Sequence, residues 1–202
     1  MYSQYDEETH ILAAFELGDV APEDWPTEKR FLDIGAWNAK DKSNTRALYE
    51  RAWSGVMIEP SPGPMLNLLA EYGDDERITL IEGAVTVEPG LITLHITDDA
   101  VSTSNEAEFE KWKGTAKYIG KLTVPGIPLQ YLAQRFGGFD FINIDAEGSS
   151  VELLFEMMNL GWQPRCICVE HDGRTSEIIS RVTPLHYHVV YGNETNVVLV
   201  RG

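Results

Sequence analysis

The amino-acid sequence predicts an α/β sandwich: a mostly parallel sheet with helices on both faces. Two observations carry this expectation. Short apolar runs alternate with helical patterns along the chain, which is how βα units read. Four of those runs end in an acid, Asp33, Glu59, Asp145 and Glu170, and parallel strands would bring such ends to one edge of a sheet. A length of 202 residues suits one domain with a well-buried core. Residues 1–30 read as an N-terminal helix and connecting loop, and residues 31–202 as the main domain.

The elements follow in order. Gln4 to Leu17 has the pattern of an amphipathic helix with acids in its first turns, and a Pro-containing loop, Ala21 to Pro26, comes next. Phe31–Gly35 is the first strand, Ser43–Ala52 a helix, and Gly55–Glu59 the second strand, stopped by Pro60. Met65, Leu68, Leu69 and Tyr72 recur at helical spacing and predict one buried face. Ile78 to Val85 is the third strand, and Leu91–Thr97 alternates like a half-exposed strand. Asp98 to Pro125 has no clear period, and long irregular segments in compact domains are often lids over a site. Leu129, Leu132 and Phe136 mark a helix closed by Gly137-Gly138. Phe139–Asp145 is the fourth strand. Ser149-Ser150-Val151-Glu152 has the form of a capping box, with Val151, Leu154, Phe155 and Met158 as the buried face and Gly161 at the end. Cys166–Glu170 is the fifth strand, Thr175–Val182 a short helix, and Tyr187–Tyr191 with Asn196–Val200 a terminal hairpin.

Composition narrows the partners. The formal net charge of −16 sets a repelling field against polyanions, so nucleic acid is not the expected substrate. No apolar run approaches a membrane span, and the polar, acidic start of the chain does not read as a signal peptide. A cytoplasmic location is expected. The two cysteines, Cys166 and Cys168, lie two apart in an apolar run and read as small core residues in a reducing compartment.

The strand ends carry the chemistry. Gly35 follows Asp33 and lets a ligand approach the backbone, with free N–H groups expected near Ser43 and Asn44. Glu59 stands 26 positions after Asp33, where an acid can accept from both hydroxyls of a ribose. The pair implies a nucleoside-containing cofactor. The dinucleotide fingerprint and the P-loop are both absent. A cofactor without pyrophosphate needs no phosphate cradle, and S-adenosylmethionine is one; Asp33 could help bind its ammonium group. Asp145, Glu147 and Asp172 offer an alternative Mg²⁺ cluster, but no metal is assigned.

Phe31-Leu32-Asp33-Ile34-Gly35-Ala36, Ile58-Glu59-Pro60-Ser61-Pro62 and Phe141-Ile142-Asn143-Ile144-Asp145-Ala146-Glu147-Gly148 together resemble the FkbM-type methyltransferases, within the class I S-adenosylmethionine-dependent group. The resemblance runs from about Phe31 to Val200. It implies a Rossmann-like, seven-stranded sheet with one antiparallel strand, and S-adenosyl-L-methionine as cofactor. Asp33 and Gly35 would line the methionine part of the cofactor and Glu59 would hold the ribose, with Ala36, Asn38, Ser43 and Pro60 as further cofactor contacts. Glu82, Gly83 and Ala84 would border the adenine, and Asp145 would lie near the sulfonium. In one departure, Ala39 stands where the family usually carries a second glycine, which bears on the methionine contacts.

The expected function is O-methylation of a hydroxyl on a small molecule or glycan. His171 is the expected general base, with Asp145 its rival, and Glu147, Ser102 and Trp112 are expected to face the acceptor; Ser104 is a further candidate. Two alternatives remain open, a catalytically inactive nucleoside-binding module on the same fold and a nicotinamide-dependent oxidoreductase.

Overall fold

The computed structural model describes residues 1–16 and 28–202. Leu17 and the loop expected at Ala21 to Pro26 lie outside the described residues. In chain order the elements are α1 (Glu7–Glu16), β1 (Arg30–Ile34), α2 (Arg46–Glu50), β2 (Ser54–Glu59), α3 (Pro62–Tyr72), β3 (Ile78–Glu82), β4 (Ala84–Thr86), β5 (Gly90–Thr97), α4 (Glu106–Trp112) and β6 (Tyr118–Pro128). Then follow α5 (Leu129–Phe136), β7 (Phe141–Ile144), α6 (Ser150–Asn159), β8 (Cys166–Glu170), α7 (Thr175–Val182), β9 (Tyr187–Gly192) and β10 (Asn196–Arg201).

Seven strands form one sheet in the order β3-β2-β1-β7-β8-β10-β9. Strand β10 runs antiparallel to both neighbours, and the other paired strands are parallel. Alternation along each strand feeds two cores. Leu32, Ile34, Ile142 and Ile144 face α5, α6 and α7, while Phe31, Phe141, Cys166 and Cys168 face α1, α2 and α3. Helix α1 buries Ile11 in the second core, so the N-terminal segment packs on the sheet.

Several local expectations change. The run Ile78–Val85 is two strands. Its first part, β3, pairs with β2, and its second, β4, pairs with β6 in a smaller sheet of order β4-β6-β5. The break falls at Gly83, whose missing Cβ would lie 3.0 Å from the Pro125 carbonyl oxygen. The segment 98–125 is not irregular: it contains α4 and most of β6. Asn105 caps α4 by accepting from the N–H groups of Ala107 and Glu108, and β6 pairs with β5 along its length. Leu69 is 47% exposed, so the buried face of α3 is Met65, Leu68 and Tyr72. Ser149 makes no side-chain cap on α6. The Ser150 hydroxyl takes the local donor, the Ala146 N–H, at 2.8 Å. Glu152 turns away to pair with Arg174.

The centre of the sheet is held at Gly35. Its N–H donates to the Ile58 carbonyl at 2.9 Å. Its φ is +78°, and a Cβ there would fall 1.8 Å from the Asp145 carbonyl oxygen. Both the conformation and the contact with β7 exclude a side chain. Gly35→Ala should therefore cost about 4 kcal/mol or more, lowering the melting temperature by roughly 8 °C or more. A melt within 2–3 °C of the unsubstituted protein would show that the β1–β7 approach is not tight.

Candidate active site

The strand order reverses at β1, with β2 on one side and β7 on the other. In open α/β sheets, ligands bind outside the carboxyl ends of the strands at such a point. A cavity of about 500 Å³ opens there, large enough for a nucleoside-sized ligand. Asp33, Gly35, Ala36, Ser43, Glu59, Pro60, Gly83 and Ala84 all line it. So do Asp145, Glu147, Ser102, Ser104 and Trp112. Most of the residues chosen from the sequence thus come together in one space. Trp37, Lys42, Asn44, Asn143 and Ser61 join them.

Asn38, His171 and Glu82, each named from the sequence, stay outside the cavity lining. The Asn38 side chain accepts from the N–H groups of Lys40 and Asp41 and shapes its own loop. Both ring nitrogens of His171 are engaged: Nδ1 accepts from the Gly173 N–H at 2.9 Å, so Nε2 donates to the Asn193 carbonyl at 3.2 Å. That arrangement leaves neither nitrogen open to take a proton from an acceptor. Ala39 is likewise turned inward. It is 6% exposed in the core beside α3, and its carbonyl accepts from the Tyr72 hydroxyl at 2.9 Å. The alanine that replaces the family's usual glycine therefore fills core space.

Glu59 is 4% exposed, and backbone donors from two loops fix its carboxylate. Oε1 accepts from the Ser61 N–H at 2.6 Å and Oε2 from the Trp37 N–H at 3.0 Å. Burial raises its pKa, and these bonds oppose the rise. Each oxygen keeps acceptor capacity toward the cavity.

Asp33 serves another purpose. Its Oδ1 accepts from Asn143 Nδ2 at 2.9 Å, and its Oδ2 from the Thr45 hydroxyl at 2.5 Å. Burial raises its pKa, tempered by these two bonds. The carboxylate fastens the loop after β1 to β7, and its oxygens are already partnered on that side.

Acids gather beyond β7 and β8. Carboxylate oxygens of Asp145, Glu147 and Glu170 lie within 4.8 Å of one another, and among the described residues they form the group close enough to share a divalent ion. Glu170 stands where Asp172 was expected. Burial, then repulsion from neighbouring acids, pushes the pKa of Asp145 up to about 7, of Glu147 to about 8 and of Glu170 to about 9. The three titrate as a set.

The loop carrying Glu147 is strained at that residue, where φ is +36°, and Gly148 beside it takes φ +86°, which glycine adopts freely. The segment before α4 holds it. The Thr103 hydroxyl donates to the Glu147 carbonyl at 2.6 Å, and Asn105 Nδ2 donates to the Gly148 carbonyl at 3.2 Å. The polar stretch that lacked a period in the sequence thus covers one side of the cavity and fixes the acids beneath it.

The sequence matches the methyltransferase FkbM domain over residues 33–189, and the chain belongs to that family. Among solved structures, it is similar to a methyltransferase FkbM from Methylobacillus flagellatus KT. The TM-score is 0.53 and the identity 15%, over 85% of this chain and 43% of that one. The chain thus spans less than half the length of that relative. The SAH-bound methyltransferase PaMTH1 of Podospora anserina gives a TM-score of 0.47 and 15% identity, over 86% of this chain and 72% of that one. No curated protein matches the sequence.

A pKa raised by folding means that the folded state binds more protons than the unfolded state. The associated stability is present at pH 4 and is lost as pH rises through about 7 to 9. Glu147→Gln and Glu170→Gln should therefore stabilise the protein at pH 9, by about 2–4 °C for each kcal/mol of repulsion relieved, and do little at pH 5. Equal melting temperatures at pH 9 would show that the carboxylates are solvated or already neutralised.

Proposed function

We propose that this chain is a methyltransferase that binds S-adenosyl-L-methionine and methylates a hydroxyl group of a small molecule or glycan. The observation that carries the reading is the Glu59 carboxylate. It is held by two backbone donors at the end of β2, in a cavity that also contains Gly35 and Asp145. A buried acid with acceptor capacity facing a cavity suits the vicinal hydroxyls of a ribose. Among the described residues the lining has no glycine-rich phosphate cradle, which suits a nucleoside cofactor without pyrophosphate and speaks against a nicotinamide dinucleotide. Ala39 points into the core, so it gives no support to an inactive module.

The residues present fit the cofactor. Glu59 and Pro60 would hold the ribose, Gly83 and Ala84 would border the base, and Gly35, Ala36 and Ser43 would follow its amino-acid part. The bound cofactor supplies an electrophilic methyl group. The chain itself must hold the acceptor, keep water away and receive the hydroxyl proton. Asp145 and Glu147 are placed to receive it, because their raised pKa values lie near neutral pH, where a general base works best. Ser102, Ser104 and Trp112 would border the acceptor. The negative charge of the cavity suits a neutral or cationic acceptor and disfavours an anionic one.

Titration calorimetry should show binding of S-adenosylmethionine or S-adenosylhomocysteine and no comparable binding of NAD. Glu59→Ala should weaken binding by about 1.5–3 kcal/mol, roughly 10–150-fold. Asp145→Asn should keep the affinity for S-adenosylhomocysteine, whose sulfur is uncharged, and slow methyl transfer by roughly 10²–10⁴-fold. Tight NAD binding in place of the adenosyl sulfur compounds would overturn the proposal.

A further inference from the structure

Among the described residues that line the cavity, two buried side-chain atoms have no hydrogen-bond partner in the fold, Trp112 Nε1, a donor, and Asn44 Oδ1, an acceptor. Asn44 is 7% exposed and lines the cavity, and its Oδ1 accepts no hydrogen bond. Its orientation is fixed by a chain of bonds. The Asp33 carboxylate only accepts, so Asn143 must turn its Nδ2 to Asp33. Asn143 Oδ1 then faces Asn44 Nδ2 at 3.0 Å, and Asn44 Oδ1 is left over. Leaving such an atom unsatisfied costs about 1–3 kcal/mol. An acceptor orphaned beside a cavity therefore calls for a ligand that donates.

A second observation lies at the same corner. Gln4, Thr195 and Asn196 line the cavity with Asn44, and Gln4 and Asn196 lie outside the matched segment 33–189. The Gln4 side chain makes no hydrogen bond of its own among the described residues. The N-terminal segment is brought here by Glu7, which is fully buried. Glu7 Oε1 accepts from Asn193 Nδ2 at 2.7 Å and from Asn196 Nδ2 at 3.0 Å, and Oε2 accepts from the Tyr5 N–H at 2.9 Å. His171 steadies the same turn through the Asn193 carbonyl.

The sheet order tells which end of a ligand would arrive. On the cofactor reading above, the nucleoside end would lie over β3 and β2, at Gly83 and Glu59, and an extended ligand would then pass Gly35 on β1 and Asp145 beyond β7. Its far end would fall toward β8 and β10, where Asn44 is tied to Asn143 and Cys168 and where Asn196 stands. Resting on the cofactor reading above, we infer that the N-terminal segment completes the cofactor site. In this arrangement Asn44 Oδ1 and the Gln4 amide receive the α-amino-acid end, and Glu7 is the positioning residue that holds Gln4 there. The ammonium offers the donor that Asn44 lacks, and the Gln4 amide N–H can donate to the carboxylate.

The test compares S-adenosylhomocysteine with 5′-methylthioadenosine, which has the nucleoside and sulfur but lacks the amino-acid end, by titration calorimetry on the full chain. Gln4→Ala, Asn44→Ala and Glu7→Gln should each weaken S-adenosylhomocysteine by about tenfold and leave methylthioadenosine within twofold. Glu7→Gln acts because an amide cannot accept at both oxygen positions. Gln4 is exposed, so its variant keeps the fold. Equal loss for both ligands, or no loss for either, overturns the inference while leaving the cofactor reading intact. Binding of neither ligand by the unsubstituted chain overturns both.

Discussion

Asp33 is 2% exposed at the middle of the sheet, and a carboxylate buried there must be satisfied or it would cost the fold several kcal/mol. Thr45 from the loop after β1 and Asn143 from β7 satisfy it, and Asn143 in turn orients Asn44. The shape of the cavity follows from this one network. It ties the β1 loop to the strand whose end carries Asp145, turns the Asn44 amide nitrogen toward β7, and leaves Glu59 to be fixed by other donors. An acid that reads in the sequence as a ligand contact is in the structure the part that sets where the contacts stand.

A second constraint opposes the first. Asp145, Glu147 and Glu170 crowd together with no cation paired to them among the described residues, and their mutual repulsion weakens the folded state as they ionise. The fold tolerates this because the surrounding loop is pinned from above by Thr103 and Asn105. Crowding of this kind keeps carboxylates protonated up to the neutral range, which is the condition for a base that works there. Stability at the site is lower than packing alone would allow, and the chemistry proposed for it depends on the same repulsion.

The order of elements, the parallel sheet and the terminal hairpin were legible because each apolar run has the length and spacing of its element. Asp33, Gly35, Glu59 and Asp145 were legible because strand ends in parallel order share an edge. Other features were hidden for physical reasons. Strand β6 contains Gly120 and Gly126 and mixes polar with apolar residues on a half-exposed sheet, so it shows no clean period. The cap at Asn105 was readable from an Asn followed by acids, but its helix is only seven residues long. His171 looked poised for catalysis because it follows a strand end; only coordinates reveal that backbone groups occupy both nitrogens. Gln4 and Glu7 carry no motif, and their place beside the cavity arises from α1 packing against a hairpin nearly 190 positions later.

The central claim is that the carboxyl ends of β2, β1 and β7 form one cofactor site, with Glu59 at the ribose. A crystal structure of the chain with S-adenosylhomocysteine tests it most directly. The account predicts ribose hydroxyls on the Glu59 carboxylate, the base beside Gly83 and Ala84, and the sulfur facing Asp145. A ligand bound elsewhere, or one in this cavity whose ribose leaves Glu59 untouched, would contradict it.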